Sequence, residues 1–124
     1  MIINKPTTNG RNQPVFLYVD TASMVDFLQG AARAWCKAFP ETWFSASDFL
    51  GGVNFNWEST PMQALYNFYN PDADPAKHDD AVQQAGQAAG YLLWVALDRD
   101  SRKFKTEIRE AHGRPVRHYL WIKD

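Results

Sequence analysis

This sequence has little cysteine and no long apolar run. Cys36 is the single cysteine among 124 residues, which excludes an internal disulfide and a cysteine-based zinc site. No apolar run approaches the roughly 20 residues that span a bilayer. The polar residues 1–10 lack the apolar core of a secretory signal. These absences predict a cytoplasmic protein with no membrane segment.

Excess charge is absent from the chain as a whole, but not from its parts. The formal net charge is −1, so the whole molecule has no strong attraction to a polyanion. Residues 1–98 hold 5 Lys/Arg and 10 Asp/Glu, whereas residues 99–124 hold 8 and 4. Such a polarised molecule can bind a polyanion through its basic end. The same charges also fit a solvated hairpin whose Lys/Arg residues guard its edges against aggregation.

Motifs for catalysis and metal binding are missing as well. The three histidines, His78, His112 and His118, fall on different predicted elements without HxxxH or HExxH spacing. No Gly-Lys-Ser/Thr of a phosphate loop follows Gly51–Gly52. Cys36 lies in an apolar helical pattern, which predicts a buried structural thiol rather than a nucleophile. We therefore expect no enzymatic activity, no metal and no cofactor.

The first third of the chain is predicted to hold an arm, a strand and a helix. Residues 1–13 are polar and are predicted to form a flexible arm, and Pro14–Val19 is a β-prone run typical of a strand. A helix is predicted from Thr21 or Ser23 to about Phe39, since the next residue is proline. Its buried stripe is expected at Met24, Leu28, Ala31, Trp35 and Ala38.

Two short helices are predicted in the middle of the chain. Ser45 and Asp48 resemble a capping box, which predicts a helix that stops at Gly51–Gly52. Thr60 before a proline predicts the start of the second helix. An acidic, proline-containing turn at residues 70–75 is expected to end that helix.

A long helix is predicted over residues 76–98. Its buried stripe is expected at Val82, Ala85, Ala89, Leu92 and Ala96, widened by Leu93 and Leu97. Gly86 and Gly90 each cost about 1 kcal/mol inside a helix, so we expect close packing of a neighbour there. Outward positions among Leu92, Leu93 and Trp94 could form the seam of a homodimer.

The chain ends in a predicted β-hairpin. Its strands are expected over Phe104–Ile108 and Val116–Ile122, where apolar residues alternate with charged or aromatic ones. Gly113 supplies the positive φ that a tight turn needs, and Pro115 excludes a helix through the turn. The long helix therefore leads directly into a basic hairpin.

From about Trp43 to Ile122 the chain resembles winged helix-turn-helix domains, particularly those of phage and mobile-element proteins. The resemblance is carried by WFSASDFL for the second helix, AVQQAGQAAGYLLWVAL for the third, and RKFKTEI, HGRP and VRHYLWI for the hairpin. It implies one α+β domain over residues 1–124, with Pro14–Val19 available as a third strand. Residues 51–75 depart from the family pattern, because they insert an extra helix and an acidic loop.

The resemblance implies a regulator or accessory replication factor that binds double-stranded DNA through the 76–98 helix and the 99–123 hairpin. Three glutamines of the long helix are expected to face outward and could bond to adenine: Gln83, Gln84 and Gln87. Glutamine is also an ordinary helix former on a solvated face. Six cations are the expected phosphate contacts: Arg102, Lys103, Lys105, Arg109, Arg114 and Arg117.

A second hypothesis is a protein-binding adaptor or inhibitor, such as a phage-encoded anti-defence protein, since an acidic face can mimic DNA. Its expected partner surface is acidic and aromatic: Trp57, Tyr66, Phe68, Tyr69, Asp72, Asp74, Asp79 and Asp80. Joint exposure of the aromatic residues would favour this hypothesis. One stripe of hairpin cations beside the long helix would favour DNA.

Overall fold

The computed structural model describes residues 1–5, 20–50, 57–111 and 113–122. Its elements, in chain order, are α1 (Thr21–Ala38), α2 (Ala46–Leu50), α3 (Gln63–Tyr69), a 3₁₀ turn (Pro75–Lys77), α4 (His78–Arg99), β1 (Lys103–Ala111) and β2 (Arg114–Ile122). Helices followed by a C-terminal antiparallel hairpin confirm the α+β prediction. The predicted strand Pro14–Val19, the remainder of the arm and Gly51–Gly52 lie outside the described residues.

Helix α1 has a different N-cap from either predicted one. The Asp20 carboxylate accepts hydrogen bonds from the Ser23 hydroxyl at 2.6 Å and the Ser23 backbone N–H at 3.1 Å, because a carboxylate suits the positive end of a helix. These bonds lower the pKa of Asp20. The predicted buried stripe is also partly wrong, since Ala32 and Cys36 take interior positions while Ala38 is exposed.

The start of α2 follows its predicted cap, whereas α3 begins at Gln63 with Met62 as its N-cap and without a side-chain cap, two residues after the predicted first position at Pro61. The Ser45 backbone N–H donates to the Asp48 carboxylate at 2.7 Å, which is one half of a capping box. The Thr60 hydroxyl accepts from the Met62 N–H at 3.2 Å and donates to the Trp57 carbonyl at 2.7 Å. These bonds turn the chain so that Trp57 and Met62 are both buried in the core.

Helix α4 forms the centre of the core and packs on α1 and α3. Trp94 is only 7% exposed, and its ring lies T-shaped against Tyr119 with centroids 6.5 Å apart. Leu92 and Leu93 are buried as well, so the predicted dimer seam at these three residues is wrong. Among the described residues, no helix is both long enough and apolar enough to cross a membrane.

The glycines of α4 are not packing sites. A Cβ atom added at Gly86 or Gly90 would meet nothing within 4 Å. The prediction that a neighbour packs closely against them is therefore wrong. Gly86 is exposed, because the buried face of α4 follows Ala85, Ala88 and Ala89 instead.

The hairpin pairs Lys103 with Ile122 at one end and Ala111 with Arg114 at the other. Gly113 has φ +76°, as the predicted tight turn requires. The inner face of the hairpin carries Phe104, Thr106, Arg117, Tyr119 and Trp121, and Phe104 and Tyr119 are almost fully buried. In β2 the aromatic residues therefore face the helices, and the aliphatic residues point the other way. The aromatic side chains offer the larger apolar area for burial.

Single β-bridges extend both edges of the hairpin. Ile2 pairs in parallel with Phe104 of β1, and Phe44 pairs antiparallel with Tyr119 of β2. Asn4 continues the first edge with its side-chain amide, which bonds both backbone groups of Thr106. The predicted flexible arm is therefore wrong for residues 1–5, since Ile2 is 3% exposed and belongs to the core.

Candidate nucleic-acid interface

Four basic side chains project from the face of the hairpin opposite its buried aromatic residues. Because side chains alternate between the two faces of a strand, the register sends these residues outward: Lys103, Lys105, Arg109 and Arg114. All four are exposed. We call this side the outer face, and Glu107 is the only acidic residue that β1 and β2 place on it.

Arg109 is held in position on the outer face. Its guanidinium lies 4.3 Å from the centroid of the Trp43 ring, within the range of a cation–π contact. Its Nε also donates to the Glu107 carboxylate, in an ion pair that is nearly half exposed on both sides. The sequence predicted Arg109 as a phosphate contact but gave Trp43 no role, because nothing local shows that these two residues meet.

The outer face also has an apolar part, contributed by β2. Val116, Leu120 and Ile122 are partly exposed there, opposite Arg109, Lys105 and Lys103 in the register. The outer face therefore combines a basic row on β1 with an aliphatic row on β2. Such a face can approach the sugars and phosphates of a nucleic-acid backbone without burying an unpaired carboxylate at its centre.

Arg102 does not belong to this face. It is 8% exposed, and its guanidinium forms a salt bridge of 2.8 Å with Asp100, whose side chain is fully buried. The guanidinium also lies 5.3 Å from the Phe104 ring centroid and 5.6 Å from that of Trp121. Arg102 thus stabilises the junction between α4 and β1, and we do not retain it as a phosphate contact.

The Asp100 carboxylate is ionised by this arrangement. Burial alone raises the pKa of the carboxyl, but hydrogen bonds from the Arg102 side chain, the Arg102 backbone N–H and Gln29 outweigh that effect. The pKa of Asp100 therefore lies well below its ordinary value. The Gln29 amide donates to Asp100 at 3.1 Å and so connects α1 to the same junction.

Arg117 likewise points inward. Its guanidinium lies 5.1 Å from the Trp94 ring centroid, and its Nη1 donates to the Thr106 hydroxyl at 3.0 Å. This half-buried position covers Trp94 on α4. The predicted cations of the hairpin therefore divide into an outer group of four and an inner group, Arg102 and Arg117, that packs on the core.

The three predicted glutamines are exposed on the first half of α4: Gln83, Gln84 and Gln87. This exposure confirms that they face outward. Asp79 and Asp80, in the first turn of the same helix, are exposed as well. Their carboxylates would repel phosphates that approach α4 from its N-terminal end, so a DNA contact by this helix has to begin beyond them.

The acidic turn before α4 is built around Asn70, which is 2% exposed. Its amide nitrogen donates to the Asp74 carbonyl at 3.0 Å, and its amide oxygen accepts from the Asp74 N–H at 2.9 Å. Tyr66 bonds both Asn70 and His78, with its hydroxyl 2.8 Å from His78 Nδ1. Asp74 caps the 3₁₀ turn, and Asp72 is exposed.

The aromatic half of the alternative partner surface is not exposed together. Trp57 is 4% exposed and belongs to the core. Tyr66, Phe68 and Tyr69 are partly buried and pack against that core, and burial raises the pKa of Tyr69. The predicted acidic and aromatic surface is thus reduced to its acidic residues, because the aromatic side chains lie in the core or pack against it.

Outside the outer face, the described residues include potential metal ligands and one thiol. Cys36 is buried, as predicted, and burial raises the pKa of its thiol. Within the described ranges, no three His, Cys, Asp or Glu side chains are placed to hold a metal ion. Comparisons with protein-family models, with curated proteins and with solved structures returned no match.

Proposed function

We propose that this protein binds double-stranded DNA through the outer face of its C-terminal hairpin. One observation carries the proposal: four exposed cations, Lys103, Lys105, Arg109 and Arg114, project from the same face of β1 and β2. Cations grouped on one rigid face can neutralise several phosphates at once, and the release of counterions then drives binding. The overall charge of −1 does not oppose this, because the charge is divided between two ends of the chain.

The proposed contacts differ in kind. Lys103 and Lys105 act as point charges toward phosphates, whereas Arg109 offers a guanidinium that Trp43 already orients. Arg114 lies at the tip of the hairpin, where it can reach into a groove. The exposed glutamines of α4, with Gln83 as the first, are candidates for base contacts. Together with this function we propose that the protein is located in the cytoplasm.

The test is a titration of random duplex DNA with the purified protein at several salt concentrations. Four phosphate contacts predict micromolar or weaker binding, with a slope of log K against log salt of about −3 to −4. The double variant Lys103→Gln/Lys105→Gln is expected to reduce that slope by about 2. A matched control is Arg33→Gln/Lys37→Gln, which removes two exposed cations from α1 instead.

The control variant is expected to retain the wild-type slope. Equal losses in both double variants would show that only overall charge matters, and the hairpin would lose its assigned role. If no binding occurs even at low salt, the DNA proposal is wrong. Replacing Gln83, Gln84 and Gln87 by alanine separately tests base contacts, since it should reduce discrimination between sequences without changing the salt slope.

The acidic end supports the second candidate function, binding of a basic protein surface. Asp72, Asp79 and Asp80 are exposed, and within the described residues none of them forms a salt bridge. Asn70 fixes the turn that presents Asp72. We rank this candidate below DNA because Trp57, the largest apolar residue of its predicted surface, lies in the core and buried apolar anchors supply most interface energy.

A further inference from the structure

A histidine lies among the cations of the outer face. The register of the hairpin places His118 of β2 directly opposite Glu107 of β1, so its side chain is on the same face as Lys105 and Arg109. The His118 side chain is partly exposed. Lysine and arginine carry a permanent charge at neutral pH, whereas the charge of an imidazole ordinarily changes between about pH 5 and pH 8. The outer face therefore includes one group whose charge can follow the pH.

One hydrogen bond orients the imidazole ring of His118. Its Nδ1 lies 2.9 Å from the Val116 carbonyl oxygen, which can only accept, so Nδ1 carries the proton of this bond. The other ring nitrogen, Nε2, makes no hydrogen bond to the described residues, and it is not one of their buried polar atoms that lack a partner. Solvent therefore reaches Nε2. Protonation of the ring adds its new N–H at this atom, because Nδ1 already holds one.

The charged groups of β1 act on His118 in opposite directions. Glu107, across the strand pair, favours a protonated ring, whereas Lys105 and Arg109 on the two diagonals disfavour it. The Glu107 carboxylate is also paired with the Arg109 guanidinium. Its negative charge is therefore shared, and two cations remain beside the imidazole.

The segment beside β2 adds one further charge near this position. Phe44 pairs antiparallel with Tyr119, which brings residues 43–48 alongside the strand. Their one titratable side chain is Asp48, whose carboxylate accepts from the Ser45 N–H at the start of α2. This carboxylate is therefore already occupied by the cap of its own helix.

A phosphate bound on the outer face changes the balance of these charges. Its negative charge offsets Lys105 and Arg109, so a protonated ring between them is no longer disfavoured. The Nε2–H group of His118 then has an acceptor, and a charge-assisted hydrogen bond is stronger than one between neutral groups. Binding therefore promotes protonation of the ring. By thermodynamic reciprocity, protonation promotes binding to the same extent.

We propose that His118 is a further phosphate contact of the outer face, made through its protonated Nε2, and that DNA binding strengthens as the pH falls. The inference rests on the proposed function, since it adds one residue and a pH dependence to the same face. Formation of the complex is thus coupled to the uptake of a proton.

The experiment measures binding of random duplex DNA over a range of salt concentrations at about pH 8 and about pH 5.5, which lie on either side of the imidazole range and above that of carboxylates. One additional phosphate contact at the lower pH predicts a slope of log K against log salt that is more negative by about 1, and binding that is about three- to tenfold tighter. His118→Gln is expected to abolish both changes while retaining the wild-type slope at the higher pH.

His118→Arg places a permanent charge at the same position. This variant is expected to show, at both pH values, the steeper slope that the wild type shows only at the lower pH. The matched control is His78→Gln, because His78 lies at the start of α4 and bonds Tyr66. His112→Gln replaces the histidine that precedes the turn glycine in the sequence. Both controls are expected to retain the wild-type pH dependence.

Circular dichroism of each variant checks that it is folded. Wild-type binding that shows the expected salt slope but does not change with pH overturns the role of His118 and leaves the proposed function standing. A pH dependence that persists in His118→Gln, or that is lost in His78→Gln or His112→Gln instead, also overturns it. If His118→Gln does not fold, a wild-type pH dependence in His118→Arg overturns the role. Absence of binding at both pH values overturns the proposed function and this inference together.

Discussion

The side chain of Asn4 pairs with the backbone of Thr106 as a neighbouring strand would. Its amide oxygen accepts from the Thr106 N–H at 2.9 Å, and its amide nitrogen donates to the Thr106 carbonyl at 2.8 Å. The parallel bridge between Ile2 and Phe104 lies two residues before this contact in both segments. A side-chain amide thus extends the edge of the sheet by one position and holds the start of the chain on the hairpin.

Replacing Asn4 by alanine is expected to lower the free energy of unfolding by about 1–2 kcal/mol, since two hydrogen bonds to strand backbone are lost. Asn4→Asp retains an acceptor for the Thr106 N–H but has no donor for its carbonyl, so a comparable loss is expected. Urea denaturation measures both. Asn67→Ala is the control, because Asn67 is exposed on α3 and bonds only Gln63 in a described contact. A loss as large for Asn67 as for Asn4 would contradict the strand-like role.

The buried ion pair between Asp100 and Arg102 is expected to be essential to stability. Asp100→Asn leaves the Arg102 guanidinium buried without its counter-charge, which predicts a loss of about 3 kcal/mol in urea denaturation. The matched control is Asp26→Asn on α1. Asp26 pairs with Arg99, but its side chain is 71% exposed, so a change below about 1 kcal/mol is expected. Similar losses in the two variants would show that burial is not the deciding factor.

The same carboxylate predicts a dependence of stability on pH. The pKa of Asp100 is held below its ordinary value of 3.8 in the folded state. The unfolded chain therefore takes up a proton at this residue before the native chain does, and stability falls as the pH drops through and below the ordinary value. Above that value its contribution is fully present. Unfolding free energies measured between about pH 6 and pH 2 should fall less steeply for Asp100→Asn than for the wild type. Equal slopes would contradict the assignment.

The two glycines of α4 offer a stabilising change. Gly86→Ala and Gly90→Ala add a methyl group where nothing lies within 4 Å, and alanine is the better helix former. Each is expected to raise the free energy of unfolding by about 0.5–1 kcal/mol. Gly113→Ala is the contrasting control, since φ +76° disfavours alanine and predicts a loss. A loss at Gly86 would show that a contact restricts this position.

Sequence patterns predicted local structure well where the signal is itself local. The turn at Gly113, the cap formed by Ser45 and Asp48, and the end of α1 before Pro40 depend on neighbours within a few residues. The same patterns did not determine which face of a strand is buried. In β2 both alternating sets are largely apolar, so periodicity could not decide whether Tyr119 or Leu120 faces the core.

The candidate site was predicted only in part for the same reason. Composition located the cations in the last quarter of the chain, and alternation placed Lys103 and Lys105 on one face. Arg102 looked equivalent to them in the sequence. Its burial depends on Asp100 and on two aromatic rings of the hairpin, which come together only when the strands pair over the end of α4.

Local sequence is enough to predict the order of the four helices and the hairpin, the tight turn at Gly113 and the division of charge between the two ends. Those properties depend on backbone preferences and composition, which act locally. Long-range packing determines which cations stay exposed, that Trp94 lies in the core, and that Asn4 pairs with the edge of β1. These outcomes depend on contacts between residues far apart in the chain, because burial and pairing are fixed only once α4 and the hairpin have packed together.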